Sequence, residues 1–192
     1  MNPDALVVRP GQPLVDAWSE VFAQLHRATA DRKHPFRELV ISTISPDGAP
    51  NSRTVILRGI SEGLDQLMIY TDIRSDKVLE LRDSSRVSLL FYHPPKKLQL
   101  KVSGEAEIHH NDELSRVEWE RNGKRGAGSY ISELRPGREI AEPQEGWKKH
   151  PVDNRHFCVI LIRIDSMEFL QLNGDRHLRS VKKGNTMQWI AP

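Results

Sequence analysis

With 192 residues, 38% of them apolar and 28% charged, the chain has enough apolar surface for one core, and a formal net charge of +2 creates no bulk field to draw it to nucleic acid or a membrane. A single cysteine, Cys158, excludes an intramolecular disulfide and suits a reducing compartment. Residues 1–13 lack the apolar core of a secretory signal and no run approaches the ~18 apolar residues of a membrane helix, so a soluble, cytoplasmic single domain over 1–192 is expected.

Residues 1–13 read as a loosely held N-terminal arm. Leu14, Val15, Trp18, Val21, Phe22 and Leu25 recur at helical spacing and predict an amphipathic helix over 14–33. The texture changes after His34-Pro35. Residues 38–45 and 51–58 read as strands on either side of the turn signal Pro46-Asp47-Gly48, hence a hairpin. Residues 67–71 form a third strand. Residues 75–83 read as a short helix with Val78, Leu79 and Leu81 facing inward. Two further strands, 86–92 and 98–108, flank Pro94-Pro95, the second alternating Leu98, Leu100 and Val102 against Gln99, Lys101 and Ser103. Asn111 or Asp112 caps a helix through Leu114, Val117 and Trp119. Residues 122–150 form a loop-rich insertion with a short helix around 129–134. Strand candidates at 156–164, 167–172, 178–182 and 186–190 follow. Strands in runs, not alternating with helices, argue for an α+β, mainly β fold: an antiparallel sheet closed into a barrel with helices at its edge.

The segment Tyr70-Thr71-Asp72-Ile73-Arg74-Ser75-Asp76-Lys77 carries the most chemistry. A strand gives way to a helix there, and free N–H groups at a helix start suit an anion. Arg74 and Lys77 add charge, and Thr71 and Ser75 add hydroxyls, a set fit for a phosphate monoester. The same residues also suit a solvated helix start with a serine cap. Arg53 and Arg58 bracket Thr54-Val55-Ile56-Leu57. Their odd separation sends them to opposite faces of an ideal strand, so one ligand takes both only by wrapping the strand or across a bulge. Gln99 has an amide able to donate and accept at the edge of a ring, or points to solvent by alternation. Arg176, His177 and Arg179 form a polar group near the C-terminal end. No His, Cys, Asp or Glu group has metal-ligand spacing, and the scattered lysine pairs make no nucleic-acid footprint.

Taken in order, the blocks 53–58, Tyr70-Thr71 with Ser75 and Lys77, 86–91, and Gln99 with Gly104-Glu105-Ala106-Glu107 resemble the pyridoxamine 5'-phosphate oxidase family. The resemblance runs from about residue 38 to 108 and resumes over 157–179. It implies a six- to eight-stranded split β-barrel with peripheral helices, dimerising with FMN at the subunit interface. It also implies that Arg53, Thr54, Val55, Ile56, Leu57 and Arg58 lie along the flavin, and that Tyr70, Thr71, Ser75 and Lys77 hold its phosphate end. Arg74 compensates for Asp76, which stands where the family carries arginine. Gln99 and Arg179 are the remaining flavin contacts. Arg58 replaces the family's lysine, Leu170 its tryptophan, and Leu134-Arg135 a Gln-Ser pair. The Arg-Leu-His segment that grips the substrate's phosphate is not visible near 176–179, and of a Tyr/Arg/Ser set only Arg121 matches. Flavin binding therefore carries over better than substrate binding, and no side-chain general base stands out. The implied activity is an FMN-dependent oxidoreductase acting on a B6 phosphate or related amine or alcohol, with reoxidation by O2. An FMN-dependent reductase using a nicotinamide donor, or a flavin-binding protein without turnover, are the alternatives.

Overall fold

The computed structural model describes residues 6–192. Eight strands form one antiparallel sheet: β1 (Glu38–Ile44), β2 (Pro50–Ile60), β3 (Gln66–Asp72), β4 (Arg86–His93), β5 (Leu98–His109), β6 (Phe157–Gln171), β7 (Leu178–Lys183) and β8 (Thr186–Ile190). Their order is β3-β2-β1-β4-β5-β6-β7-β8, and an added β3–β6 pairing closes the first six into a barrel. The expected split barrel is thus present, with β7 and β8 as an extension. Closure pairs the β3 edge that would otherwise template pairing with another chain, and leaves β8 at the end of the sheet.

One strand performs both closure and extension. β6 runs unbroken for 15 residues, where the polar Asp165-Ser166 had suggested two strands. Its first half pairs with β3, from Gln66↔Arg163 to Asp72↔Phe157, and its second half carries β7. A register shift between Ser103 and Gly104 lets β5 follow β6 through this change of partner. Glycine is required there, because a Cβ on Gly104 would overlap the carbonyl oxygen of Arg163.

The barrel is filled from alternate positions, with Leu39 and Ile41, Val55 and Leu57, Leu67 and Ile69, and Leu98, Leu100 and Val102 all buried. Helix α1 (Leu14–Ala30) closes over it. Trp18 meets Phe169 edge-on at 4.9 Å, and its indole N–H donates to Ser180 Oγ at 3.0 Å. The helix stops short of residue 33, since Asp31 is extended and a 3-10 turn at Pro35–Arg37 leads into β1. Residues 6–8 of the expected loose arm are docked: Leu6, Val7 and Val8 are buried, and the N–H groups of Val7 and Val8 both donate to Gln171 Oε1 at 3.2 Å. Residues 1–5 of that arm lie outside the described residues.

Helices α2 (Asp76–Asp83) and α3 (Glu113–Arg121) lie on the barrel's outside. On α2, Val78 and Leu81 are buried but Leu79 is turned out, because one helical face cannot hold three residues so closely spaced. On α3, Trp119 is buried and Val117 exposed. Asp112 caps α3 by accepting from Ser115 N at 2.8 Å, with the Ser115 hydroxyl side reciprocating. The insertion holds two 3-10 runs, Gly123–Ser129 and Pro143–Trp147, in place of the helix expected around 129–134. Gly123 to Gly128 supply three glycines, which disfavour α-helix but fit a tight turn under Trp119 and Phe157. Among the described residues no helix is long and apolar enough to cross a membrane.

Candidate functional site

The end of β3 and the start of α2 build a small polar cradle. Lys77 Nζ donates to Thr71 Oγ1 at 2.9 Å and to Ser75 Oγ at 3.2 Å, and the two hydroxyls lie 3.2 Å apart. Ser75, at the helix N-cap, makes no capping bond with its side chain; its hydroxyl donates to Asp72 O at 2.7 Å. Thr71 and Ser75 are buried. Lys77 makes no ion pair among the described residues. Burial, and next the Arg53 guanidinium, hold its ammonium below the ordinary lysine range. A half-buried cation with only hydroxyl partners is an electrostatic debit that an incoming anion removes. Two hydroxyls, an ammonium and a helix start converging on one point match what a phosphate monoester accepts.

Arg53 reaches the same helix from β2. It pairs with Glu80 Oε2 at 2.8 Å, donates to Asn51 O at 3.1 Å and hydrogen-bonds the Thr43 hydroxyl. Glu80 also takes Asn51 Nδ2 at 2.7 Å and the hydroxyl of Thr43. Burial opposes ionisation of Glu80, but the hydrogen bonds from Thr43, Asn51 and Arg53 outweigh it and keep its carboxyl below the usual carboxylate range. Glu80 sits three residues after Lys77 on α2, hence on the same helical face. The sequence reading missed Glu80, Asn51 and Thr43. The available signal was that spacing: a carboxylate one turn from the cradle lysine, facing a strand that carries an arginine.

Other expected residues separate. Arg74 does not join the cradle: its guanidinium grips buried Asp72 (2.7 and 3.0 Å) and donates to Ser132 O at 2.8 Å and Glu133 O at 3.2 Å, fastening the insertion to the barrel. Tyr70 and Thr71 are neighbours on a strand and so diverge. The Tyr70 hydroxyl donates to Glu118 Oε2 at 2.6 Å, and burial with that carboxylate pushes its pKa well up, leaving a neutral donor. Val55 and Leu57 point into the core, whereas Thr54 and Ile56 lie on the opposite face of β2. Arg58 stands at a bulge, where Leu57↔Ile69 is followed by Gly59↔Met68. The bulge does not bring it to Arg53. Its guanidinium lies over the Tyr70 ring, 5.3 Å from the centroid, and its buried Nε has no hydrogen-bond partner. Arg58 lies five residue steps beyond Arg53, about 16 Å of strand.

Gln99 and Arg179 come to one face. Register places Gln99 opposite Leu170 and Leu170 opposite Arg179, a row continued by exposed Tyr92 on β4. Arg179 is held by Glu168 Oε1 at 2.8 and 3.0 Å. No hydrogen bond joins this row to the cradle among the described residues; one chain carries two separate groups of the expected contacts.

A family model described as "Pyridoxamine 5'-phosphate oxidase, FMN-binding domain" matches residues 15–110. A pyridoxine/pyridoxamine 5'-phosphate oxidase 2 from Arabidopsis thaliana is 25% identical over 154 residues, 72% of this chain and 75% of that protein. A pyridoxine/pyridoxamine 5'-phosphate oxidase from a Nocardioides strain is 39% identical over 74 residues, only 38% of this chain and 34% of that protein. In fold, a crystal structure of a pyridoxamine 5'-phosphate oxidase-related, FMN-binding protein from Nostoc punctiforme superposes with a TM-score of 0.75 at 22% identity, covering 91% of this chain and 96% of that one.

Proposed function

The chain belongs to the pyridoxamine 5'-phosphate oxidase family, whose FMN-binding domain it carries, and from that premise we propose that it is an FMN-dependent oxidoreductase working as a cytoplasmic homodimer with each flavin shared between two copies. The observation that supports this reading best is the half-buried ammonium of Lys77, hydrogen-bonded only to the hydroxyls of Thr71 and Ser75. It is a cation in want of an anion, at the helix start that the flavin's phosphate requires. Residues of the cradle bind and orient; Glu80 holds Arg53 in place beside them. The Gln99–Arg179 row lies apart from the cradle within one chain, which supports a site completed by a second copy.

When bound, FMN supplies the hydride acceptor for a small amine or alcohol substrate, a B6 phosphate among the candidates, and passes the electrons to O2. The protein's part is position and charge. Arg58, at the far end of β2 from the cradle, offers a positive group with an uncommitted Nε to a developing negative charge. The test is to purify the protein, identify any released flavin, and measure its sedimentation and its oxygen uptake with pyridoxamine 5'-phosphate. A yellow dimer that consumes oxygen is expected. A protein that stays colourless in excess FMN would overturn the proposal.

A further inference from the structure

Beyond the cradle, the described surface holds a cavity of about 360 Å³ whose walls carry four guanidiniums, those of Arg32, Arg37, Arg58 and Arg125, and no carboxylate. They converge from four segments: the turn after α1, the 3-10 turn before β1, the bulge of β2 and the glycine-rich 3-10 run after α3. None of the four makes an ion pair among the described residues. Arg37 is tied to Ala28 O at 3.2 Å and Thr29 O at 3.3 Å, which fixes its position without neutralising it. Arg58 leaves a buried Nε unpartnered. Asp31, the carboxylate that acts on Arg37 from nearby, spends Oδ1 on the N–H of Lys33 at 2.8 Å. Burial, then Arg58 and Arg32, weaken the hold of Arg37 on its proton, as expected where like charges crowd.

Four like charges gathered around one space repel, and among the described residues only Asp31, acting on Arg37, offsets them in part. A phosphate monoester accepts one or two bidentate guanidinium clamps, so a single phosphate leaves half of this set unmatched. We propose that this pocket is a substrate subsite for a small molecule carrying two anionic groups, with Arg58 and Arg37 taking one and Arg32 and Arg125 the other. The subsite's role in turnover rests on the oxidoreductase reading above, whereas binding itself does not. It moves the preferred substrate away from a B6 monophosphate toward a diphosphate or a dicarboxylate.

Calorimetric titration of the FMN-loaded protein at constant ionic strength tests this, using pyrophosphate against methyl phosphate and glutarate against butyrate. The flavin spectrum is followed throughout, so that displacement from the cradle is seen. At least one doubly charged probe should bind tenfold or more tightly than its singly charged counterpart, and the pair that does so names the class. The double variant Arg32→Gln/Arg125→Gln, both exposed and outside the cradle, should erase that preference and keep its flavin. Arg37→Lys, which retains the charge and loses the fork, should weaken it in part. Equal affinities within both pairs, or a preference unchanged in the double variant, overturns the proposal. Failure to retain FMN would instead strike at the flavin reading, and the same titrations on the flavin-free protein would still decide the pocket.

Discussion

Replacing Lys77 with methionine should move cofactor affinity and protein stability in opposite directions. In the structure Lys77 Nζ has two hydroxyl partners and no carboxylate, and burial depresses its pKa. Deleting a charge-assisted hydrogen bond of this kind costs about 1.5–3 kcal/mol, which at about 1.4 kcal/mol per decade weakens FMN binding roughly 10- to 150-fold. The flavin-free protein loses little. Ser75 keeps its bond to Asp72 O at 2.7 Å, Thr71 and Ser75 keep each other at 3.2 Å, and a half-buried ammonium gives way to a thioether of similar length. Linkage sharpens the contrast. The folded-state pKa lies below that of the unfolded chain, so the unfolded state binds more protons between the two. Stability of the flavin-free protein therefore rises with pH from the depressed value up to the ordinary lysine value of about 10.4. That slope should vanish in Lys77→Met. FMN titration by fluorescence quenching and denaturant unfolding of flavin-free protein at several pH values check both halves. An FMN affinity within about threefold of the parent, well under 1 kcal/mol, would refute the cradle. A loss of more than about 2 kcal/mol in the flavin-free variant would show that the lysine is structural instead.

Glu80→Ala should cost about 3 kcal/mol, near the low end for breaking a buried pair because Arg53 keeps 21% side-chain exposure, and should lower Tm by roughly 6–12 °C in a scanning unfolding experiment. Arg74→Ala leaves Asp72, 3% exposed in its side chain, without its partner and frees the carbonyls of Ser132 and Glu133, so limited proteolysis within residues 131–150 should accelerate several-fold. Gly104→Ala drives a methyl into the carbonyl of Arg163 and should destabilise by about 3 kcal/mol in denaturant titration. Burial pushes the Cys158 thiol up to about 12, so a maleimide should label it only once the protein unfolds.

Period-2 alternation made most of the barrel legible, because one face of each strand is buried and the sequence must record it. β5 shows this, with Leu98, Leu100 and Val102 inward and Gln99 and Lys101 outward. Helix starts with hydroxyl or carboxylate caps were legible too. Illegible were features set by partners distant in sequence. The polar Asp165-Ser166 reads locally as a break, yet β6 continues through it because β5 bulges opposite. Arg74 looks like a phosphate ligand until the carbonyls near residue 133 arrive from 59 residues away to claim it. Glu80 reads as helix surface until Asn51 and Arg53 converge on it across the hairpin. The same logic governs the two arginines of β2. Parity alone separates Arg53 from Arg58, and the structure keeps them apart despite the bulge between Leu57 and Gly59. One strand thereby serves two places about 16 Å apart: beside the cradle Arg53 is paired by Glu80, whereas Arg58 faces a pocket whose walls carry no carboxylate. Where the chain supplies the balancing carboxylate, the arginine is already satisfied. Where it does not, the missing charge must come with the ligand, and that is the reason to seek the substrate's chemistry around Arg58.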